Sequence, residues 1–393
     1  MNTKKRNLKI EFAKTPDQIA LVKKMGSKNK LESMAAAEAL AAVLARPILQ
    51  VIEQAPVISN LYTTLTYDAG TPAVIPLDPY FDVRARNFIT IWTQSQPGGN
   101  AMNFTQGQSD LYVQTYPLYG EIAMNKNWLR AGNIDYLAAD LTRIVQEVLL
   151  LQEANAAFVL FNSLANARID GNANGTNNAT NNLTLVRADT AGVFQLDDFN
   201  NIIIGYDRTT ASWVGGTPVN ERRSITDLLG SPEWLGQIRS IAYQPQNTRS
   251  GAVATSGATA IAAPESLREE IFRSSGIPTL YDINLHKVYE MGDNRNFNLV
   301  FGTAIGSTAL PGFGTGFGGG STSTFNSATE QIVVGLNSEM FDLARLRMTE
   351  ESSEFALVAD DTFNVRSDKL GFYGRLTEGY VSVDGRAKFA VSF

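Results

Sequence analysis

Residues 134–165, IDYLAADLTRIVQEVLLLQEANAAFVLFNSLA, carry the strongest periodic signal in the chain. Ile134, Leu137, Leu141, Ile144, Val148, Leu151 and Phe158 recur mostly at spacings of three and four, the signature of one helix face. Asn133 can cap this helix, and Asp135 lies in its first turn, where negative charge is favoured. At 1.5 Å per residue it would run about 48 Å, far beyond an average globular helix. Such an element reads as the backbone of an elongated subunit. A coiled-coil partner is the alternative, but Gln146, Glu147, Gln152 and Glu153 leave a single apolar stripe.

On the N-terminal side, 34–45 (MAAAEALAAVLA) reads as an alanine-rich amphipathic helix, followed by an extended segment punctuated by Pro47 and Pro56. Residues 83–94 and 111–124 read as two strands joined through QPGGN at 96–100, a long two-stranded arm. Its apolar residues, Phe88, Ile91, Trp92 and Phe104 among them, fall on both faces and suit a surface covered either by another chain or by this chain's own core. Beyond the long helix, 170–184 holds six asparagines in 15 positions and is expected to be loop. A helix is expected over 196–206, two short helical pieces over 224–239 and a strand over 240–244. Residues 302–320 hold eight glycines and read as a flexible loop. Short strands are expected at 344–348, 363–365, 372–376, 380–383 and 388–393.

Composition narrows the chemistry. The 393 residues are 44% hydrophobic, which excludes disorder throughout, and only 18% charged. Cysteine is absent and His286 is the only histidine, so thiol nucleophiles, zinc–thiolate sites and multi-histidine metal sites are excluded. No catalytic residue, cofactor site or metal site is expected. Residues 1–30 hold nine basic groups against Glu11 and Asp17, and the remainder is net acidic. A basic arm on an acidic body suggests an anionic partner, whether nucleic acid, an acidic neighbouring subunit or an acidic helper protein; a solvated tail that aids solubility is the alternative. No run of 18 apolar residues occurs, so no membrane span is expected, and Glu38 within 34–45 argues against a signal peptide.

The short motifs are weak. Gly314, Gly316 and Gly319 match G-x-G-x-x-G, but no helical pattern or phosphate-binding lysine follows, so nucleotide binding is not expected. The pairs Glu350/Glu351 and Asp360/Asp361 sit on opposite faces of any strand and form no ready dyad. Arg345 and Arg347 share one face and are read as opposing Glu350, Glu351 and Glu354 across a subunit contact.

The order of elements, and at residue level 224–244 and 360–393 (DDTFNVRSDKLGFYGRLTEGYVSVDGRAKFAVSF), resembles the major capsid protein family of tailed double-stranded DNA bacteriophages. The resemblance implies an α+β chain with the Hong Kong 97 phage-type capsid fold. It would have an N-arm (1–62), an extended β-hairpin loop (63–120), a peripheral domain with a long spine helix (121–194), an axial domain (195–345), and return strands to the peripheral domain (346–393). It implies a non-enzymatic shell protein of the virion capsid, assembled in the host cytoplasm as hexamers and pentamers around DNA. Portal and scaffolding proteins would be its partners, with a decoration protein as a further candidate. Lys4, Lys5, Arg6 and Lys9 would line the inner surface against DNA, without sequence specificity, or clasp a neighbour, and Phe88, Ile91, Trp92 and Phe104 would bind one. Between Lys30 and Lys126 no lysine occurs, so the loop lysine of relatives that form a Lys–Asn isopeptide link is missing and non-covalent stabilisation is expected. Starting at Met1, the chain is expected to carry no cleaved scaffolding segment. The rival readings are an encapsulin-type nanocompartment shell, a phage tail or baseplate protein, and an enzyme with a glycine-rich lid.

Overall fold

The computed structural model describes residues 15–77, 109–132, 134–172, 185–188, 192–211, 225–241, 279–307, 309–310, 323–337, 343–349, 354–360, 368–383 and 388–393. Contacts divide the chain into two units. The expectations for Lys4, Lys5, Arg6, Lys9, Phe88, Ile91, Trp92, Phe104, Glu350, Glu351, the Asn133 cap and the three motif glycines lie outside the described residues.

In the first unit, Thr15 caps α1 (Pro16–Met25) by accepting from the Gln18 amide at 3.4 Å, with Pro16 in the favoured first position. Asn29 caps α2 (Lys30–Gln54) in the same way. This helix runs straight through Pro47, where an extended segment was expected. The proline is exposed, while Leu44, Ile48 and Ile52 are buried. Burial of that stripe outweighs the hydrogen bond that proline removes.

The sheet of this unit has β1 (Thr63–Asp68), β12 (Leu343–Thr349), β14 (Lys369–Ser382) and β13 (Phe355–Asp360) in that order, with β4 (Tyr116–Asn125) also paired to β14. Here β1 and β12 are parallel, and β4 and β13 run antiparallel to β14. The expected strands at 372–376 and 380–383 are thus one 14-residue strand. Gly374 and Gly379 do not end it, because they sit where neighbours approach closely: a Cβ on Gly379 would lie 2.5 Å from the Gln114 carbonyl oxygen. The expected strand 111–124 is split: β3 (Ser109–Tyr112) pairs with β2 (Val74–Leu77), and β4 joins the sheet instead of an arm. Helices α1, α2, α3 (Lys126–Arg130) and the start of α4 (Ile134–Asn172) share one core with β4, β13 and β14.

The second unit is built on a six-stranded sheet: β5 (Leu185–Arg187), β15 (Lys388–Ser392), β11 (Ile332–Leu336), β6 (Asp227–Gly230), β8 (Ile283–Lys287) and β7 (Thr279–Leu280). Helices α5 (Leu196–Ala211) and α6 (Pro232–Ile241) contribute Phe199, Ile202, Trp234 and Ile238 to its core. Residues 227–230 are therefore a buried strand and not the first of two helical pieces, and α6 extends into the expected strand at 240–244. All four residues of β6 are buried, and a fully buried strand has no alternation by which to distinguish it from helix. Of the expected glycine-rich loop, 302–305 end a further helix, α7 (Asn296–Ile305), and Ala309–Leu310 is β9. The last strand, β15, pairs antiparallel with β11 and parallel with β5, which itself belongs to 121–194.

Candidate assembly surface

In α4, Leu137, Leu141, Val145, Val148, Gln152 and Ala156 are buried, whereas Leu151 and Phe158 are 47% and 58% exposed. The expected stripe placed Leu137, Ile144, Leu151 and Phe158 on one line. A seven-residue repeat drifts about 20° per heptad on a straight 3.6-residue helix, so its later members rotate out of the core. Leu150 and Tyr136 are exposed as well. The helix thus has an apolar face toward its own core and apolar side chains on its open flank.

Arg345 and Arg347 share one face of β12, but that face is the interior of the first unit; the intersubunit role expected for them is corrected. Arg345 donates to Ser59 Oγ at 2.7 Å and Thr64 Oγ1 at 2.6 Å. Arg347, with no exposed surface, donates to Glu354 Oε2 at 2.9 Å and lies 3.6 Å from Glu378. Glu378 also accepts from Gln152 at 2.9 Å and from the Tyr380 hydroxyl at 3.0 Å. Burial lowers the Arg345 pKa, with Arg347 adding to the effect, and raises that of the Tyr380 phenol. Burial, and then Glu378, push Tyr116 up to about 12. Beside this cluster Glu153 accepts from the amides of Val57 and Ile58, at 2.5 and 3.1 Å, while burial raises its pKa against those bonds. Two cations need local anions to be buried at all, which is why β12 carries them opposite Glu354 and Glu378. Alternation in ARLRM marks the shared face but not whether that face looks inward.

On the surface of the first unit, Trp128 and Tyr136 stack at 5.4 Å, each more than half exposed. Tyr119 stacks on Tyr373 at 5.4 Å. A groove of about 560 Å³ runs between β4 and α4, with Ile122, Ile144 and Leu151 against Glu121, Asp140 and Glu147. Within it, Gly120 meets α4 so closely that a Cβ would lie 2.8 Å from Ile144.

In the second unit, His286 Nε2 lies 2.7 Å from Asp227 Oδ1, which also accepts from Asn284. The pair bridges parallel neighbours β6 and β8. Among the described residues no three His, Cys, Asp or Glu side chains gather as a metal site. The lengths of α2 and α4 would allow them to cross a membrane. Each buries one side in the core and carries Glu32 and Glu38, or Asp140, Arg143 and Glu147, outside it.

No family model matches the chain, and no curated protein matches it. Among solved structures it is similar to the capsid of cyanophage P-SCSP1u, at 10% identity and a TM-score of 0.45, over 86% of this chain and 88% of that one. The capsid of a native GTA particle matches at 13% identity and 0.44, over 86% and 90%. The SrpI encapsulin of Synechococcus elongatus matches at 11% identity and 0.40, over 84% and 85%.

Proposed function

We propose that this chain is the major capsid protein of a tailed double-stranded DNA phage, forming hexamers and pentamers that close an icosahedral shell, with no catalytic role. The observation that carries the reading is α4: a 39-residue helix with a core on one side and exposed Tyr136, Leu150, Leu151 and Phe158 on the other. Apolar side chains strung along an open flank are what neighbouring copies would cover. The order of elements and the 360–393 sequence support the same reading.

In this reading the arm falls within 1–62, the extended loop within 63–120 between β1 and β4, the peripheral domain within 121–194 and 346–393, and the axial domain within 195–345. Lys388–Ser392 completes the axial sheet. Extended loops lie over neighbours, and axial domains meet around the five- and six-fold axes. Many modest contacts made together then hold the particle without covalent links.

Light scattering and negative-stain microscopy of the expressed protein, alone and with its neighbouring genes, test this. A closed shell of about sixty or more copies of 42.8 kDa has a mass of at least roughly 2.6 MDa. Rings or polyhedral particles are expected, and packaged DNA rather than protein cargo separates a phage head from a nanocompartment. A monomer or dimer under every condition overturns the proposal.

A further inference from the structure

Along one edge β4 hydrogen-bonds to β14 through ten register pairs, from Asn125–Lys369 to Tyr116–Glu378. Along its other edge no strand pairs with it among the described residues. An open edge offers alternate backbone donors and acceptors to an added strand. The groove between β4 and α4 lies there, apolar at Ile122, Ile144 and Leu151 and acidic at Glu121, Asp140 and Glu147. Its only cationic lining residue is Arg143, which pairs with Asp140 at 3.2 Å, so the lining carries a net charge of −2.

One segment of the chain has the matching pattern. In KKRNLKIEF, residues 4–12, Leu8, Ile10 and Phe12 alternate with Asn7, Lys9 and Glu11, a period of two that puts three apolar side chains on one face of a strand. The segment 1–14 holds five basic residues against Glu11, net +4. Apolar alternation meets the apolar floor, and basic charge meets the acidic rim.

We propose that residues 4–12 of one copy add as an antiparallel or parallel strand to the open edge of β4 in a second copy. Leu8, Ile10 and Phe12 face Ile122, Ile144 and Leu151, and Lys4, Lys5, Arg6 and Lys9 meet Glu121, Asp140 and Glu147. One arm and one groove per copy make a heterologous contact, which forms a ring when its rotation closes. The second copy as occupant rests on the shell reading above; the match between segment and groove does not.

Because the chain has no cysteine, an introduced thiol is unique. Full-length chains carrying Leu8→Cys, Ile10→Cys or Phe12→Cys are each co-expressed with a full-length chain carrying Ala123→Cys, an exposed groove residue, and oxidised. At least one mixture is expected to give a disulfide-linked dimer of one chain of each kind, about tenfold over either homodimer and weaker at high salt. Heterodimers at the statistical share in all three mixtures overturn the proposal. So does a doubly substituted Ile10→Cys, Ala123→Cys chain that closes only within itself when diluted with unsubstituted protein. Microscopy of the unoxidised mixtures reads the shell separately. Rings or particles without cross-links defeat the arm–groove contact alone, and cross-linked heterodimers without rings or particles defeat the shell alone.

Discussion

At the residue scale, Arg347 and Glu153 make opposite bargains with burial. Arg347 has no exposed surface and holds Glu354 at 2.9 Å and Glu378 at 3.6 Å. Arg347→Ala strands Glu378 in the interior, with an expected loss of about 3–5 kcal/mol. Chemical denaturation showing a loss below about 1 kcal/mol would remove the network from the list of supports. Glu153 is half-buried, and desolvation raises its pKa, so the folded state binds its proton more tightly than the unfolded chain does. Stability from this group is therefore full below the unfolded carboxylate value and is lost as pH rises through the raised one. Glu153→Gln is expected to flatten the fall in melting temperature above the ordinary glutamate range while keeping an acceptor for the Val57 or Ile58 amide. An unchanged pH slope would assign that dependence to other groups. Neither role is legible in sequence, because Glu153 reads as a solvated helix face and Arg347 as a surface charge until β14 and the 57–64 segment close over them.

At the element scale, close approach explains what periodicity misjudges. A Cβ on Gly230, the last residue of β6, would lie 2.2 Å from the buried ring of Trp234 in α6. Ser231 accepts from the Trp234 amide at 3.0 Å and so holds that ring in place. Gly230→Ala is expected to cost about 1–3 kcal/mol through overpacking, measured as a lower unfolding midpoint of the second unit. A midpoint unchanged within error would mean the indole shifts freely. In the same strand, DLLG followed by Ser-Pro looks like helix punctuation, and its strand character comes from β11 and β8 on either side. In α4 the helix itself was legible, but its inward face was not, since Leu151 and Phe158 fit the stripe by spacing and leave it by rotation.

At the scale of the whole molecule, the exposed apolar flank of α4 separates folding from assembly. Leu150 is 65% exposed and touches little of its own chain. Leu150→Lys is expected to leave unfolding within about 0.5 kcal/mol of the parent while reducing rings or particles severalfold by light scattering. Normal assembly of this variant would place the contact elsewhere on the subunit.

Sequence alone determined the properties that depend on local pattern or on composition. These are the long helix at 134–165, the excess of basic residues in 1–30, and the absence of cysteine and of histidine clusters. Each rests on residues near one another in the chain, where spacing is enough. Which way a face turns depends on partners far away in sequence. The inward orientation of Arg345 and Arg347, the passage of α2 through Pro47, the fusion of two expected strands into β14 and the placing of 388–392 beside β11 all come from long-range packing. There, buried area and charge pairing outweigh local propensity.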